Sequence, residues 1–219
     1  MKTIVILGTG GHARMVASVV LDMMDAGEAV AIAGYTTNGK PDRPPLGGAV
    51  LGDDSVLPEL ARAGTATHFV LGLGSVRGGQ ALRPELFAAA KAAGLTPATL
   101  AHRTATIMPG ARLGAGTVLM PHAVIGAEAV LGENVIVNTK ASVDHDGRVG
   151  DHAHISVGAT LSGTVSVGAN SLVGAGATVS HGVEIGNDVT VGAGAVVIRQ
   201  VGDGLVVAGV PARALVRKP

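Results

Sequence analysis

From Ile107 to Val197, every sixth residue of the chain is Ile, Leu or Val. The set comprises Ile107, Leu113, Leu119, Ile125, Leu131, Val137, Val143, Val149, Ile155, Leu161, Val167, Val173, Val179, Ile185, Val191 and Val197. The residue four places later is small or β-branched, as at Ala111, Ala153 and Ala177. No helix or ordinary sheet keeps a period of six for this long. The pattern is typical of the hexapeptide repeats of a parallel β-helix.

Each hexad is expected to supply one short strand and one turn. Three hexads then make a triangular coil, in which the aliphatic residues point inward and stack on those of the coil below. Glycine often follows the aliphatic residue, as in "LGAGTV" and "IGNDVT", and we expect it to permit the tight corner. Residues 101–219 therefore predict an all-β domain.

Residues 1–100 follow a different pattern, in which buried strands alternate with amphipathic helices. The segments "TIVILG", "AVAIAGYT" and "THFVLGLG" are typical of strands, and "GHARMVASVVLDMMDAG", "SVLPELARAG" and "RPELFAAAKAAG" are typical of helices. Pro58 falls in the first turn of the second helix. A loop rich in Gly and Pro, "TTNGKPDRPPLGG", follows the second strand. This alternation predicts a small α/β domain with a Rossmann-like parallel sheet.

Composition narrows the function classes. The 219 residues contain 16 Lys and Arg against 16 Asp and Glu, so bulk charge gives no reason to expect binding to nucleic acid or to a membrane surface. The absence of Cys excludes disulfides, zinc fingers and thiol catalysis. The apolar run at the N-terminus is too short for a secretory signal, and no segment is long and apolar enough to span a membrane. We expect a cytoplasmic protein.

The turn "GTGGHAR", Gly8 to Arg14, joins the first strand to the first helix. Backbone N–H groups at such a helix N-terminus offer an anion site. The turn departs from the dinucleotide fingerprint because Ala13 stands where its last Gly belongs, and no acidic residue closes the second strand. NAD is therefore disfavoured, and a plain strand-to-helix turn remains the alternative.

The stretch "VDHDGRVGDHAHISVG" gathers three histidines and three aspartates in the middle of the repeats. His145 is third in its hexad, and Gly163 occupies the same column one coil later. A base beside an unshielded backbone N–H suits acyl transfer, since the base takes a proton and the N–H stabilises an oxyanion. Asp146 would orient the imidazole. The alternative is that His145 is a solvated corner residue.

The sequence gives less indication of a role for the other histidines. His152 is expected at the surface, and His154 immediately precedes an inward residue, close to a corner. His102 and His122 are interpreted as outward loop residues without a role.

A zinc site is an alternative because His181 shares the column of His145. Some left-handed β-helices are carbonic anhydrases with three His ligands at a subunit interface. Their pattern requires another His five residues after His181, where this chain has Gly186. We therefore expect no metal.

Several motifs occur in one order: "VILGTGGHARMV" in the first domain, "SVDHD" followed by "HIS" and "LSG" in the repeats, and "GVPAR" near the end. In this order they resemble the bacterial nucleotide-sugar N-acetyltransferases and sialic acid O-acetyltransferases of the PglD/NeuD type, over essentially the whole chain. The resemblance implies a left-handed β-helix, an exception to the usual right-handed crossover, and a nucleotide-sugar-binding first domain. It also implies acetyl-CoA as co-substrate and a homotrimer.

The resemblance assigns roles residue by residue. His145 matches the general base, Asp146 the acidic residue beside it, and Gly163 the backbone donor to the thioester carbonyl. The positions that match acetyl-CoA contacts are His154, Ala175, Ala193 and Arg213. The positions that match the sugar-nucleotide pocket are Gly10, Gly11, His12, Arg14, Gly74 and Ser75. The family's acidic residues after the second strand are replaced by Thr36 and Thr37, which leaves UDP and GDP both open.

The function expected from the resemblance is acetyl-CoA-dependent N-acetylation of a nucleotide-linked amino sugar. One alternative is O-acetylation of a sialic acid or a related sugar. Another, from a different class, is a non-catalytic solenoid such as a scaffold or an ice-binding protein. The ice-binding form would need a repeated Thr array on one face, which the hexads lack.

Overall fold

The structure, a computed structural model, describes residues 1–39, 46–75 and 82–215. Part of the loop expected after the second strand, residues 40–45, lies outside the described residues, as do residues 76–81 and 216–219. The chain forms a parallel α/β sheet followed by a left-handed parallel β-helix, which confirms the predicted fold class.

The first part is a five-stranded parallel sheet of order β3-β2-β1-β4-β5. Its strands are β1 (Lys2–Leu7), β2 (Val30–Thr36), β3 (Val50–Gly52), β4 (His68–Leu71) and β5 (Thr96–Pro97). Its helices are α1 (Gly11–Asp25), α2 (Leu57–Arg62), which follows a 3₁₀ turn at Asp54–Val56, and α3 (Leu82–Ala92). The three predicted strands and three predicted helices are present. The short edge strands β3 and β5 carry too little pattern to be predicted.

Two-residue strands stack into three faces of the β-helix. Face 1 contains Thr106–Ile107, Val124–Ile125, Ser142–Val143, Thr160–Leu161, Thr178–Val179 and Val196–Val197. Face 2 contains Arg112–Leu113, Val130–Leu131, Arg148–Val149, Ser166–Val167 and Glu184–Ile185. Face 3 contains Leu100–Ala101, Val118–Leu119, Ile136–Val137, His154–Ile155, Leu172–Val173, Thr190–Val191, Val206–Ala208 and, antiparallel at its edge, Arg213–Ala214.

The second residue of nearly every strand points into the core, as the six-residue period predicts. These aliphatic side chains form one continuous cluster with the small residues that follow them, and residues such as Val143, Ile155 and Val173 are fully buried. Ile107 is an exception because it belongs to the first coil of its face, with no coil below it, and is 45% exposed.

The corner geometry corrects one expectation about glycine. The left-handed turn residue, with φ near +60°, lies three places after the aliphatic residue, as at Asp146, Asn170 and Gly176. The glycine directly after the aliphatic residue serves packing instead. A Cβ added to Gly126 would lie 2.4 Å from the backbone nitrogen of His145 in the next coil. Close stacking of coils therefore selects glycine at that position.

Several sets of contacts fix the α/β sheet on the β-helix, among them one made by α3 and one made by α1. Phe87 of α3 packs against the corner at Gly116, where an added Cβ would lie 2.6 Å from the ring. Asp22 of α1 is buried and accepts from Arg103, with Nε 2.5 Å and the backbone nitrogen 3.0 Å away. Face 3 of the β-helix is thus partly covered by the first domain. Within the described residues, no helix has the length and hydropathy needed to cross a membrane.

Candidate active site

The predicted catalytic residues come together at the corner between faces 1 and 2. Nδ1 of His145 lies 2.8 Å from Oδ2 of Asp146. The other edge of the ring faces Gly163 in the next coil, because a Cβ added to Gly163 would lie 2.3 Å from Nε2 of His145. The column that the hexad spacing predicts is present. The imidazole lies directly against a glycine backbone.

Electrostatics favour a basic imidazole at this corner. The hydrogen bond that Nδ1 of His145 donates to Asp146 raises the pKa of His145 above its usual value, and the charges of Asp144 and Asp146 add to the effect. Because Asp146 accepts a hydrogen bond from the N–H at Nδ1, the neutral ring keeps its lone pair on Nε2, the atom that faces Gly163. The side chain of His145 is half exposed. A substrate can therefore reach Nε2.

The amide of Gly163 is available as a donor. Residues in this position of the hexad contribute no N–H to the ladder between coils, whose donors are the first strand residue, the residue directly after the aliphatic one and the left-handed corner residue. Within residues 1–39, 46–75 and 82–215, the N–H of Gly163 has no hydrogen-bond partner. A base and an unpaired N–H donor thus lie side by side.

A second cluster lies between the first domain and face 3. The backbone N–H of Ser75 donates to Nδ1 of His154 at 3.1 Å, and Nε2 of His154 lies 3.2 Å from the side-chain amide of Asn138. The ring of His12 lies 6.1 Å from that of His154, centroid to centroid. Gly74 lies against both rings, where an added Cβ would be 3.5 Å from His154 and 3.8 Å from His12.

Both imidazoles of this cluster are held neutral. Burial lowers the pKa of His154 to about 3, with further lowering by His12 and Arg83. Burial, followed by the charge of Arg83, lowers the pKa of His12 to about 4. Nε2 of His12 is buried without a hydrogen-bond partner among the described residues. His12, which matches a substrate contact, and His154, which matches an acetyl-CoA contact, therefore lie together in one buried cluster.

The two clusters lie on different sides of the same prism. His145 is at the corner between faces 1 and 2, whereas His154 projects from face 3. The inward side chains of Val143, Val149 and Ile155 fill the space inside that coil. Among the described residues, no hydrogen bond, ion pair or ring contact joins His145 to the loops of the first domain.

The glycine-rich turn has the open backbone expected of an anion site. Gly8 has φ of +105°, in the left-handed region that favours glycine. Cβ atoms added to Gly10 or Gly11 would meet nothing within 4 Å, so the N-terminus of α1 is open. Arg14, in the first turn of α1, is half-buried. In the dinucleotide fingerprint the third glycine lets the helix pack closely on the sheet, and Ala13 stands in its place here. Gly72 allows the close approach instead, because a Cβ added to Gly72 would lie 2.6 Å from Cβ of Ala13.

A carboxylate does stand at the end of β2, and sequence reasoning missed it. Asp54, just after β3, accepts from Oγ1 of Thr36 at 2.5 Å and from Nδ2 of Asn38 at 2.8 Å. The side chain of Thr37 lies 3.4 Å from that of Thr9 in the glycine-rich turn. The acid is thus contributed by the next strand rather than by β2. The run "GDDS" after an apolar pair was the only signal for it.

The remaining positions matched to acetyl-CoA lie along the β-helix. Ala175 and Ala193 are exposed and stacked in one column at the corner after face 3, where N of Gly194 donates to O of Ala175. Arg213 is exposed in the last strand, at the C-terminal end of the solenoid. Within the described part of the chain, these residues form no hydrogen bond with His145 or His154.

Two expectations for the other histidines are wrong. His152 does not face solvent: it is half-buried, its ring packs edge-on against Phe87 at 5.5 Å, and its Nδ1 lies 2.9 Å from Nδ2 of Asn134. His102 does not point outward, because its Nε2 lies 3.5 Å from Oδ1 of buried Asp22. Helices α3 and α1 cover these positions, which the hexad pattern alone cannot indicate. His122 is exposed, as expected.

The zinc alternative finds no ligand set. The rings of His145 and His181 are 6.2 Å apart, and Nε2 of His181 lies 3.4 Å from Oγ1 of Thr164. Among the residues that the structure describes, no group of three His, Asp or Glu side chains is arranged to hold a metal ion.

Comparison with known proteins identifies the class. Residues 164–199 match the family model described as bacterial transferase hexapeptide (six repeats). A comparison with curated protein sequences gave no match. Solved structures that match include PerB from Caulobacter crescentus in complex with CoA and GDP-perosamine, at 36% identity and a TM-score of 0.87 over 99% of this chain and 98% of that one.

The acetyltransferase domain of PglB from Neisseria gonorrhoeae, in complex with acetyl coenzyme A, is 34% identical with a TM-score of 0.86, over 98% of this chain and 99% of that one. These likenesses extend across both parts of the fold. The chain is a hexapeptide-repeat acetyltransferase. Within that class it belongs to the nucleotide-sugar acetyltransferase family that includes PerB, the perosamine N-acetyltransferase.

Proposed function

We propose that this protein is an acetyl-CoA-dependent N-acetyltransferase that acts on the amino group of a nucleotide-linked amino sugar. The observation that carries the proposal is the His145–Asp146 pair, whose free Nε2 lies against Gly163. This is a general base beside an unpaired backbone donor, on the fold of a family whose relatives bind CoA and GDP-perosamine.

The proposed reaction uses three groups of this chain. The amine nitrogen of the sugar attacks the thioester carbonyl of acetyl-CoA, and Nε2 of His145 takes a proton from that nitrogen. The N–H of Gly163 stabilises the negative charge that develops on the carbonyl oxygen. The intermediate then collapses, the C–S bond breaks, and the proton held by His145 passes to the departing CoA thiolate. Asp146 keeps the imidazole in the required tautomer and stabilises its charged form.

The first domain is proposed to hold the nucleotide sugar. The open turn at Gly10 and Gly11, with His12 and Arg14 in the first turn of α1, suits the diphosphate because backbone N–H groups and the helix dipole face it. Gly74 and Ser75 form the other wall. Thr36 and Thr37, at the carboxyl end of β2, lie where a ribose and base bind in sheets of this topology.

Acetyl-CoA is proposed to run along the β-helix. Its thioester carbonyl would lie at Gly163, its pantetheine arm along the exposed amides at Ala175 and Ala193, and its phosphates near Arg213, with His154 as a further contact. The two alanine amides have no partner within the described residues, so they are free to donate to the arm.

A homotrimer would complete the site. His145 and the first-domain cluster around Ser75 lie on different sides of one β-helix, so a neighbouring copy is needed to bring a base to a bound sugar. Exposed aliphatic residues on the outer surface, such as Val124 and Val157, would be covered in such an assembly. We likewise propose 1–100 as the nucleotide-sugar-binding domain and 101–219 as the acetyltransferase domain.

The decisive experiment is thiol release from acetyl-CoA with a panel of UDP- and GDP-linked amino sugars. We expect one class to be turned over, and His145→Ala to lower kcat about 10²- to 10⁴-fold with its structure intact. Near-full activity of the variant would remove His145 from the mechanism. Turnover of free sialic acid but of no amino sugar would replace N-acetylation by O-acetylation.

A further inference from the structure

Arg83 is almost fully buried where the first domain meets the β-helix, with 2% of its surface exposed. It lies in the first turn of α3. Its Nη1 donates to the carbonyl oxygen of Leu73, and its Nη2 donates to the carbonyl oxygen and to Oδ1 of Asn134. One guanidinium thus joins three parts of the chain: α3, the segment after β4, and a corner of the β-helix.

This cation has no carboxylate partner within the described residues, and its Nε is unpaired there. Burial lowers the pKa of Arg83 to about 10, so it stays charged at neutral pH. Burying an unpaired charge is costly. A hydrophobic side chain would pack α3 at lower cost, so packing alone does not explain an arginine here.

The two residues that accept hydrogen bonds from Arg83 are close to the proposed substrate cluster. Leu73 immediately precedes Gly74 and Ser75, whose backbone contacts His154. Asn134 is two residues before Ile136, which pairs with His154 in the next coil. The guanidinium therefore connects the two segments whose relative position determines the contact between Ser75 and His154.

We propose that Arg83 is a positioning residue for the reaction: its guanidinium ties the segment that carries Gly74 and Ser75 to the β-helix at Asn134 and so sets the contact between Ser75 and His154. Its role in the reaction rests on the proposed function, but its effect on this contact does not. The unpaired positive charge also makes the nearby turn at Gly10 and Gly11 more favourable for an anionic substrate.

The charge of Arg83 acts on the pKa values of the neighbouring histidines, and this effect can be measured separately from its hydrogen bonds. The rings of His12 and His154 lie side by side. Burial is the main cause that lowers both pKa values; Arg83 lowers both further, and His12 also lowers that of His154. His152 faces Arg83 and Lys91 as well as Asp151 and Glu133, which act on its pKa in the opposite sense, and burial dominates. Removing the charge while keeping the fold should therefore make His12 and His154 more basic.

Lys91 offers a matched control. It lies on the same helix as Arg83 and reaches the residue next to Asn134, with Nζ 3.3 Å from Oε2 of Glu133. Both side chains are nearly half exposed, and neither touches Leu73, Ser75 or His154. Lys91→Gln removes a cation between the same two elements but leaves the proposed contact intact.

The first experiment measures steady-state kinetics of Arg83→Gln, Arg83→Lys and Lys91→Gln on the nucleotide sugar that the wild type prefers. We expect Arg83→Gln to raise KM for that sugar about 10- to 100-fold, with a smaller change in KM for acetyl-CoA. Arg83→Lys, which keeps the charge but not the fork of donors, should fall between wild type and Arg83→Gln. Lys91→Gln should behave as wild type.

The second experiment follows the Ser75 amide and the imidazole nitrogens of His12 and His154 by NMR. In Arg83→Gln we expect the Ser75 signal to shift and its hydrogen exchange to accelerate, while both histidines begin to titrate at higher pH. In Arg83→Lys the histidines should remain neutral while the Ser75 signal still shifts. Lys91→Gln should change neither.

The outcomes separate this proposal from the proposed function. If the wild type acetylates no nucleotide-linked amino sugar, the proposed function fails, and the NMR comparison still tests the contact that Arg83 is proposed to set. A folded Arg83→Gln with an unchanged Ser75 signal and an unchanged KM overturns the proposal. Failure of both Arg83 variants to fold also overturns it, since Arg83 is then a structural residue.

Discussion

Nδ1 of His145 lies 2.8 Å from Oδ2 of Asp146 although the two residues are adjacent in the chain. Neighbouring side chains in an extended strand point to opposite sides. Here Asp146 is the left-handed corner residue of its hexad, with φ of +56°, and the turn brings both side chains to the same side. The base and its orienting carboxylate are therefore produced by the corner itself.

The pairing predicts the pH dependence of Asp146→Asn. Asn tolerates the left-handed conformation, so the corner should persist. The carboxylate raises the pKa of His145, so its loss should lower that pKa. The base is active when deprotonated, and the acidic limb of kcat/KM should move to lower pH. The plateau should fall at least about tenfold because the tautomer is no longer fixed. A profile superimposable on that of the wild type would contradict the pairing.

Gly163→Ala should strongly reduce activity while leaving the fold almost intact. The added Cβ would lie 2.3 Å from Nε2 of His145, but this ring is the exposed end of a side chain and can swing away. The displaced base should lower kcat about 100-fold, with a small change in thermal midpoint. Gly202→Ala is the matched control, because its added Cβ would meet nothing closer than 4.0 Å. Equal activity in the two variants would contradict the geometry.

The repeats could be predicted residue by residue because each coil pairs with the next at a fixed interval. Val143, for example, pairs with Leu161. A period in the sequence therefore becomes a column in space, and the column of His145 and Gly163 followed from counting. The hexad position of His154 placed it directly before an inward residue, close to a corner. The hexad pattern could not indicate that Ser75 covers His154, because that contact depends on how the first domain packs on the β-helix.

Acid should weaken the fold through the two buried imidazoles. The pKa of His12 is about 4 and that of His154 about 3, both below the ordinary 6.5. Between 6.5 and these values the unfolded chain binds protons that the folded chain does not, so stability falls as pH falls. At pH 5 each imidazole should account for a loss of about 2 kcal/mol relative to pH 7.5.

Urea unfolding at the two pH values and one protein concentration measures this loss. His12→Asn and His154→Gln should each reduce the pH dependence, whatever they do to stability at pH 7.5. His122→Gln is the control, because His122 is exposed at a corner. If all three variants keep the pH dependence of the wild type, the two imidazoles are not neutral in the folded state.

Two ion pairs that join the same parts of the molecule should differ in their contribution to stability. Asp22 is buried, with 7% of its side chain exposed, and accepts two hydrogen bonds from Arg103. Lys91 and Glu133 lie on the surface, with side chains 47% and 42% exposed. A buried carboxylate that loses its charge leaves its partners poorly satisfied, whereas a surface pair is screened by water.

We therefore expect Asp22→Asn to lower the free energy of unfolding by about 2–4 kcal/mol and Lys91→Gln by less than about 1 kcal/mol. Urea denaturation at pH 7.5 measures both. Added salt should change the effect of Lys91→Gln more than that of Asp22→Asn, because screening acts on exposed pairs. Equal losses in the two variants would mean that the contact between Asp22 and Arg103 does not anchor α1 to the β-helix.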